Sequence, residues 1–266
     1  MARYGVNPSD KKLPLLEHLI ELRRRILYSV IAFLIAFLIC FYFANPLFNF
    51  LVAPLADLFE GQEGAHMVFT ALHEKFFTNI KVAFFAAAML SFPFVASQLW
   101  IFVAPGLYQK ERKAFLPFLV VTPILFLMGA SMVYYIVMPV AWQFFASFQT
   151  IGDAPAGTLP IELLPRVSEY LSLSMRLIFA FGLAFELPVA ITLMARAGMA
   201  TSEGLREKRR YAIVLAFVAA AILTPPDPLS QIGLAVPIMI LYEISIWCAR
   251  MVERGREQDA AGVAAT

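Results

Sequence analysis

Residues 26–44 form an unbroken apolar run of 19 residues, closed on one side by Arg23, Arg24 and Arg25 and on the other by Asn45 and Pro46. As a helix such a run rises about 28 Å, close to the roughly 30 Å thickness of a bilayer's hydrocarbon core. It therefore reads as a membrane-crossing helix, and the rest of the chain must be compatible with lipid. Further apolar segments follow at 82–103, 115–138, 171–194, 211–223 and 229–249. The fifth has 13 residues, only about 20 Å of helix and too short for an ordinary bilayer. Pro237 can kink the sixth. The expected fold is an all-α integral membrane protein of six transmembrane helices, the fifth and sixth short or kinked. A chain that is 61% hydrophobic and 15% charged, with mean hydropathy +0.74, leaves no room for a soluble-domain alternative.

Charge placement gives the orientation. Of the 21 Lys and Arg residues, all but Lys75, Lys81, Arg166 and Arg176 fall before the first span, in 110–113, in 196–210 or in 250–256. By the positive-inside rule those segments, and with them both termini, face the cytoplasm. Residues 47–75 and 149–165 are then outer loops. Before the first span, 11–25 reads as a surface helix with Leu15, Leu16, Leu19 and Ile20 on one side and Glu17, His18, Glu21, Arg24 and Arg25 on the other. The expected organisation is a cytoplasmic amphipathic helix over 1–25, a six-span domain over 26–250 and a disordered cytoplasmic tail over 251–266. No short apolar core with a small-residue cleavage site opens the chain, so no cleaved signal peptide is expected.

Motifs for zinc hydrolysis, a serine nucleophile elbow, a P-loop and a dinucleotide turn are all missing, and His18, His66 and His73 stand apart in sequence. The expectation is no enzyme, no cofactor and no metal site. A net charge of +2 gives no reason to invoke nucleic acid. Cys40 and Cys248 lie in different apolar segments, which argues against a disulfide framework.

Three acids carry the chemical interest. Glu111 follows the Pro105-Gly106 turn and is flanked by Lys110, Arg112 and Lys113, with Phe102 and Tyr108 near it in sequence. Its neighbours can neutralise it, or it can receive an incoming guanidinium. Glu21 can form an i,i+4 pair with Arg25 or serve in binding. Glu186 lies in the middle of the fourth span, where an ionised carboxylate costs at least about 2.5 kcal/mol. It is a docking point for a partner's membrane helix or a step in proton handling, unless Gln231 or Thr192 bonds it from within.

Four stretches, His18-Leu-Ile-Glu-Leu-Arg23, Phe102-Val-Ala-Pro-Gly-Leu-Tyr-Gln-Lys-Glu-Arg112, Phe181-Gly-Leu-Ala-Phe-Glu-Leu-Pro188 and Leu223-Thr-Pro-Pro-Asp227, together resemble the TatC family, the multispanning receptor subunit of the twin-arginine protein translocase. They run in order along nearly the whole chain. The resemblance implies a multi-pass protein of the cytoplasmic (inner) membrane that binds signal peptides with paired arginines and exports folded proteins using the proton gradient. It further implies assembly with small single-span subunits of the TatA/TatB type and self-association within lipid. Carried over by motif, Glu111 and Phe102 look like the core of the arginine-reading site, with Glu21 as its second acid. Glu186 and Gln231 look like the contact for the small subunits, and Pro54 falls at a family position. The rival from another class is a proton-coupled small-solute transporter, for which an inverted repeat is expected; none is visible between the halves of the chain.

Overall fold

The computed structural model describes residues 15–59, 66–103, 116–149, 163–224 and 228–264. These fold into helices α1 (Leu15–Tyr42), α2 (Ala44–Ala56, ending in the 3₁₀ turn Asp57–Phe59), α3 (Glu74–Val103), α4 (Leu116–Met132), α5 (Met138–Ala146), α6 (Val167–Ala184), α7 (Leu187–Arg196), α8 (Ser202–Glu207), α9 (Arg209–Leu223) and α10 (Pro228–Ala264). The extended pairing among the described residues is a single parallel bridge, Val68 with Arg166.

Five stretches are long and apolar enough to cross a membrane: His18–Tyr42, Glu74–Phe102, Phe118–Ala146, Val167–Arg196 and Gln231–Gly255. The expected fifth span is α9, and its 15 residues make about 22 Å of helix. It is thus short, as expected, and does not reach full spanning length. The expected sixth helix is not short: α10 has 37 residues and carries Pro237 inside it.

Two boundaries differ from the sequence reading. The amphipathic segment and the first span are one helix of 28 residues, because no glycine, proline or cap interrupts the passage through Arg23, Arg24 and Arg25. At the other terminus, α10 continues to Ala264 where a disordered tail was expected from 251. Glu253 gives one physical reason, since its carboxylate accepts from both the backbone N–H (2.7 Å) and the hydroxyl of Ser202 at the start of α8. Each bond ties the extension to the bundle.

The helices share two ends, here termed base and crown. At the base, the start of α1 meets the end of α3, and Trp100 and Phe118 pack on Val189 and Leu193 of α7. Gly198, at φ 75°, closes α7 there: the Met199 N–H bonds Met194 O and the Gly198 N–H bonds Ala195 O. This left-handed cap turns the chain into α8. Arg209 pairs with Glu243 and the Tyr242 hydroxyl donates to Leu205 O, which folds α8 and α9 against α10.

The crown is built around α2. Pro54 has no N–H, so the carbonyl of Phe50 four residues earlier lacks its helical donor. The Tyr134 hydroxyl supplies one at 2.6 Å, with the Tyr134 ring stacked 4.5 Å from Phe50. The neighbouring carbonyl of Leu51 accepts from the Tyr170 hydroxyl at 2.9 Å. Tyr134 lies in a π-helical turn, Val133–Val137, that joins α4 to α5; such an extra residue re-aims side chains locally. Glu74, at the start of α3, accepts from the backbone N–H groups of Thr70, Ala71 and Ser168, joining the two loops of this end.

Half of the fourth span is buried against 11% of the first, so α6 and α7 form the spine and α1 a flank. The α4–α6 crossing is tight. A side chain added at Gly182 would come within 2.6 Å of the Phe126 ring, and one at Gly129 within 2.6 Å of the Phe181 carbonyl oxygen. The two glycines therefore let the backbones meet.

Candidate functional site

The base corner between α1 and α3 holds two of the three residues assigned to arginine recognition. The His18 ring lies flat on Phe102, with centroids 4.3 Å apart and planes at 14°. One turn further along α1, Glu21 pairs with Arg25 at 3.1 Å, and the other arm of that guanidinium donates to Gln98 Oε1 on α3 at 3.0 Å. The fork of Arg25 thereby fixes Glu21 relative to α3. The pair anticipated from i,i+4 spacing exists, yet it engages one carboxylate oxygen only and leaves the side chain 20% exposed. Below Phe102, Ile26, Val30, Phe33, Val95 and Leu99 line an apolar groove of about 330 Å³.

Glu111, the third member, lies outside the described residues, as does the whole basic corner at 110–113. What is described is the end of α3 that leads into that corner. Sequence reasoning missed His18 and Gln98, treating the histidine as isolated. Both act across two helices, and no spacing within one segment signals such a contact.

Glu186 occupies a different place. The fourth span is broken at Phe185 and Glu186, between α6 and α7, because Pro188 cannot donate to the preceding turn. The Glu186 N–H takes Leu183 O three residues back, a tightened turn, and its own carbonyl starts α7 by accepting from Ala190. The Phe185 ring presses on Gly129. The α4–α6 crossing thus holds the backbone next to Glu186. Both carboxylate oxygens are buried without a hydrogen-bond partner among the described residues. The Thr122 hydroxyl on α4 approaches them, itself without a well-formed bond.

The two internal partners considered for Glu186 are occupied elsewhere. The Thr192 hydroxyl donates to Pro188 O in its own helix, and Gln231 Nε2 donates to Phe217 O on α9 at 3.4 Å. Glu186 and Gln231 are not hydrogen-bonded to each other. Pro54 sits at the crown, remote from both sites.

A family model described as Sec-independent protein translocase protein (TatC) matches residues 17–237. The chain belongs to the TatC family. It is 54% identical to the Sec-independent protein translocase protein TatC of Magnetococcus marinus over 253 residues, covering 95% of this chain and 90% of that one. Against the Escherichia coli K12 protein of the same name, identity is 40% over 247 residues, with 92% of each chain covered. A crystal structure described as the twin arginine translocase receptor TatC superposes with a TM-score of 0.75 at 36% identity, covering 89% of this chain and 99% of that one. Membership in the TatC family makes this chain a membrane protein of a protein translocase and not an enzyme. The five long apolar helices fit that assignment.

Proposed function

We propose that this chain is the signal-peptide receptor and core subunit of a twin-arginine translocase in the cytoplasmic (inner) membrane. Base and both termini face the cytoplasm, and α9 makes the remaining, short crossing. The observation that carries the reading is the His18–Phe102 stack, which seats Phe102 and Glu21 on one corner at the end of α3 that continues toward Glu111.

Guanidinium is permanently charged and binds a carboxylate through two parallel N–H bonds, so a guest with two arginines calls for two acids. Glu111 and Glu21 fill that role. Phe102, already stacked on one flat ring, offers apolar or cation–π contact to a second. The apolar segment that follows the arginines fits the groove between α1 and α3. Glu186, with Gln231, receives a polar group from the membrane helix of a small single-span subunit of the TatA/TatB type. The proton gradient drives export of the folded cargo, and copies of the chain associate in the receptor complex.

The test is photocrosslinking from position 102 to a twin-arginine peptide, compared with a twin-lysine peptide. The double variant Glu21→Gln/Glu111→Gln is expected to lose at least about tenfold in peptide binding, consistent with two charge-assisted contacts, while inserting normally in the membrane. Undiminished binding by the double variant overturns the site. Solute uptake by the isolated chain in liposomes would favour the transporter reading; the family assignment and the lack of an inverted repeat speak against it.

A further inference from the structure

Lys81 and Arg176 are two of the four cations outside the basic segments, and arginine recognition gives neither a task. Lys81 stands seven positions into α3 and Arg176 nine positions into α6. The two helices begin side by side at the crown, where Glu74 Oε1 accepts from the Ser168 N–H at 3.3 Å, and both run toward the base. At 1.5 Å per residue the two Cα atoms lie about 10 and 14 Å from the crown ends of their helices.

Lys81, Arg176, Ser168, Ser172, Glu169 and Leu173 border one cleft of about 350 Å³. Both cations are exposed, and neither forms an ion pair or hydrogen bond with any described residue. The acid in the cleft, Glu169, is held by Arg166 at 2.6 Å, so it does not neutralise them. Two unpaired charges at this depth in a membrane helix are costly unless they reach water or an anion.

Long side chains on a helix lean toward its N-terminus. For α3 and α6 that is the crown in both cases, so the ammonium and the guanidinium are carried up the cleft to the headgroup level of one leaflet. Beside them Leu173 lines the cleft, and Phe84, one turn past Lys81 toward the base, is 57% exposed and meets Phe33 of α1 edge-on. Two cations beside Leu173, with the exposed Phe84 ring further toward the base, are the complement of a lipid with a charged head and an acyl chain.

We propose that this cleft binds an anionic phospholipid of the crown-side leaflet, with Lys81 and Arg176 on the phosphate, the Ser172 hydroxyl as a further donor, and an acyl chain along Leu173 and Phe84. The site depends on α3 and α6 lying in the membrane and not on the receptor role, so either reading can fail alone.

The test uses the full chain, purified in detergent and offered phosphatidylglycerol and phosphatidylcholine in equal amounts, with retained lipids counted by native mass spectrometry. The wild type is expected to retain one more phosphatidylglycerol than Lys81→Gln/Arg176→Gln, with about a tenfold preference over phosphatidylcholine at that site. Each single variant keeps part of the preference, and the charge-conserving Lys81→Arg/Arg176→Lys keeps it whole. Equal phosphatidylglycerol retention by wild type and the glutamine double variant, both with intact helical circular dichroism, overturns the proposal. So does displacement of the lipid by millimolar inorganic phosphate alone, which would mark a soluble-anion site.

Discussion

A carboxylate with both oxygens buried and unpartnered, as in Glu186, destabilises an isolated chain, because it has given up water and received no hydrogen bond in return. Removing it is therefore expected to separate stability from assembly. Glu186→Leu should unfold in detergent at the same temperature as the wild type or a few degrees higher, worth about 1–2 kcal/mol. Glu186→Gln should keep the fold. Both should lower co-purification with a single-span partner by about tenfold. A clear loss of thermal stability in Glu186→Leu would mean that the acid is satisfied within the bundle after all. The importance of Glu186 is legible in the sequence, since an acid within an apolar run is conspicuous by composition alone. Where its candidate partners point is not. Thr192 has a choice between its own helix and a neighbour and takes the carbonyl four residues back, while Gln231 turns to α9. Side chains with local backbone acceptors within reach give no sequence sign of which acceptor they take.

At the scale of elements, the crown and the α4–α6 crossing each hang on one missing atom. Tyr134 bonds Phe50 O because Pro54 leaves that carbonyl free. Tyr134→Phe keeps the ring stack and strands the carbonyl, so thermal unfolding should show a loss of about 1–3 kcal/mol. In a Pro54→Ala background the restored N–H can serve the same carbonyl, and the cost of Tyr134→Phe should fall to under about half. Equal costs in the two backgrounds would break the link between proline and tyrosine. At the crossing, Gly129→Ala drives a methyl group into a backbone oxygen that cannot move aside. We expect a loss of about 1–3 kcal/mol. Gly233→Ala in α10, where nothing lies within 4 Å, should be neutral or slightly stabilising. Apolar runs make most of these helices readable in the sequence. The ends were harder: 1–25 looked like a separate surface helix because its polarity changes at Arg25, yet a helix backbone continues through a change of polarity when nothing breaks it. The tail from 251 looked disordered because its anchor, Ser202 bonding Glu253, joins residues far apart in sequence.

For the whole molecule the unusual quantity is thickness. The spans Glu74–Phe102, Phe118–Ala146 and Val167–Arg196 have 29 or 30 residues, about 44 Å of helix, whereas α9 has 15, about 22 Å. The short helix starts at the base and is packed along its length. Arg209 at its start pairs with Glu243, Phe217 meets Gln231 near the opposite end of α10, and Ala216 and Ala220 are buried in the main core. A bilayer beside α9 and the first half of α10 must therefore thin, at fractions of a kcal/mol for each ångström of mismatch. Such a depression is the natural seat for a partner helix, because a helix bridging it relieves the mismatch on binding. The mismatch also makes the chain sensitive to its lipid. In vesicles of phosphatidylcholines with 14-, 16-, 18- and 20-carbon chains, resistance to thermal unfolding should be highest in the thinner bilayers and fall as chains lengthen. Extending α9 by four alanines after Ala219, one added turn, should shift the optimum toward longer chains. If the wild type shows no dependence on chain length while the long spans remain inserted, α9 is not exposed to the acyl chains, and the thinned wall beside it does not exist.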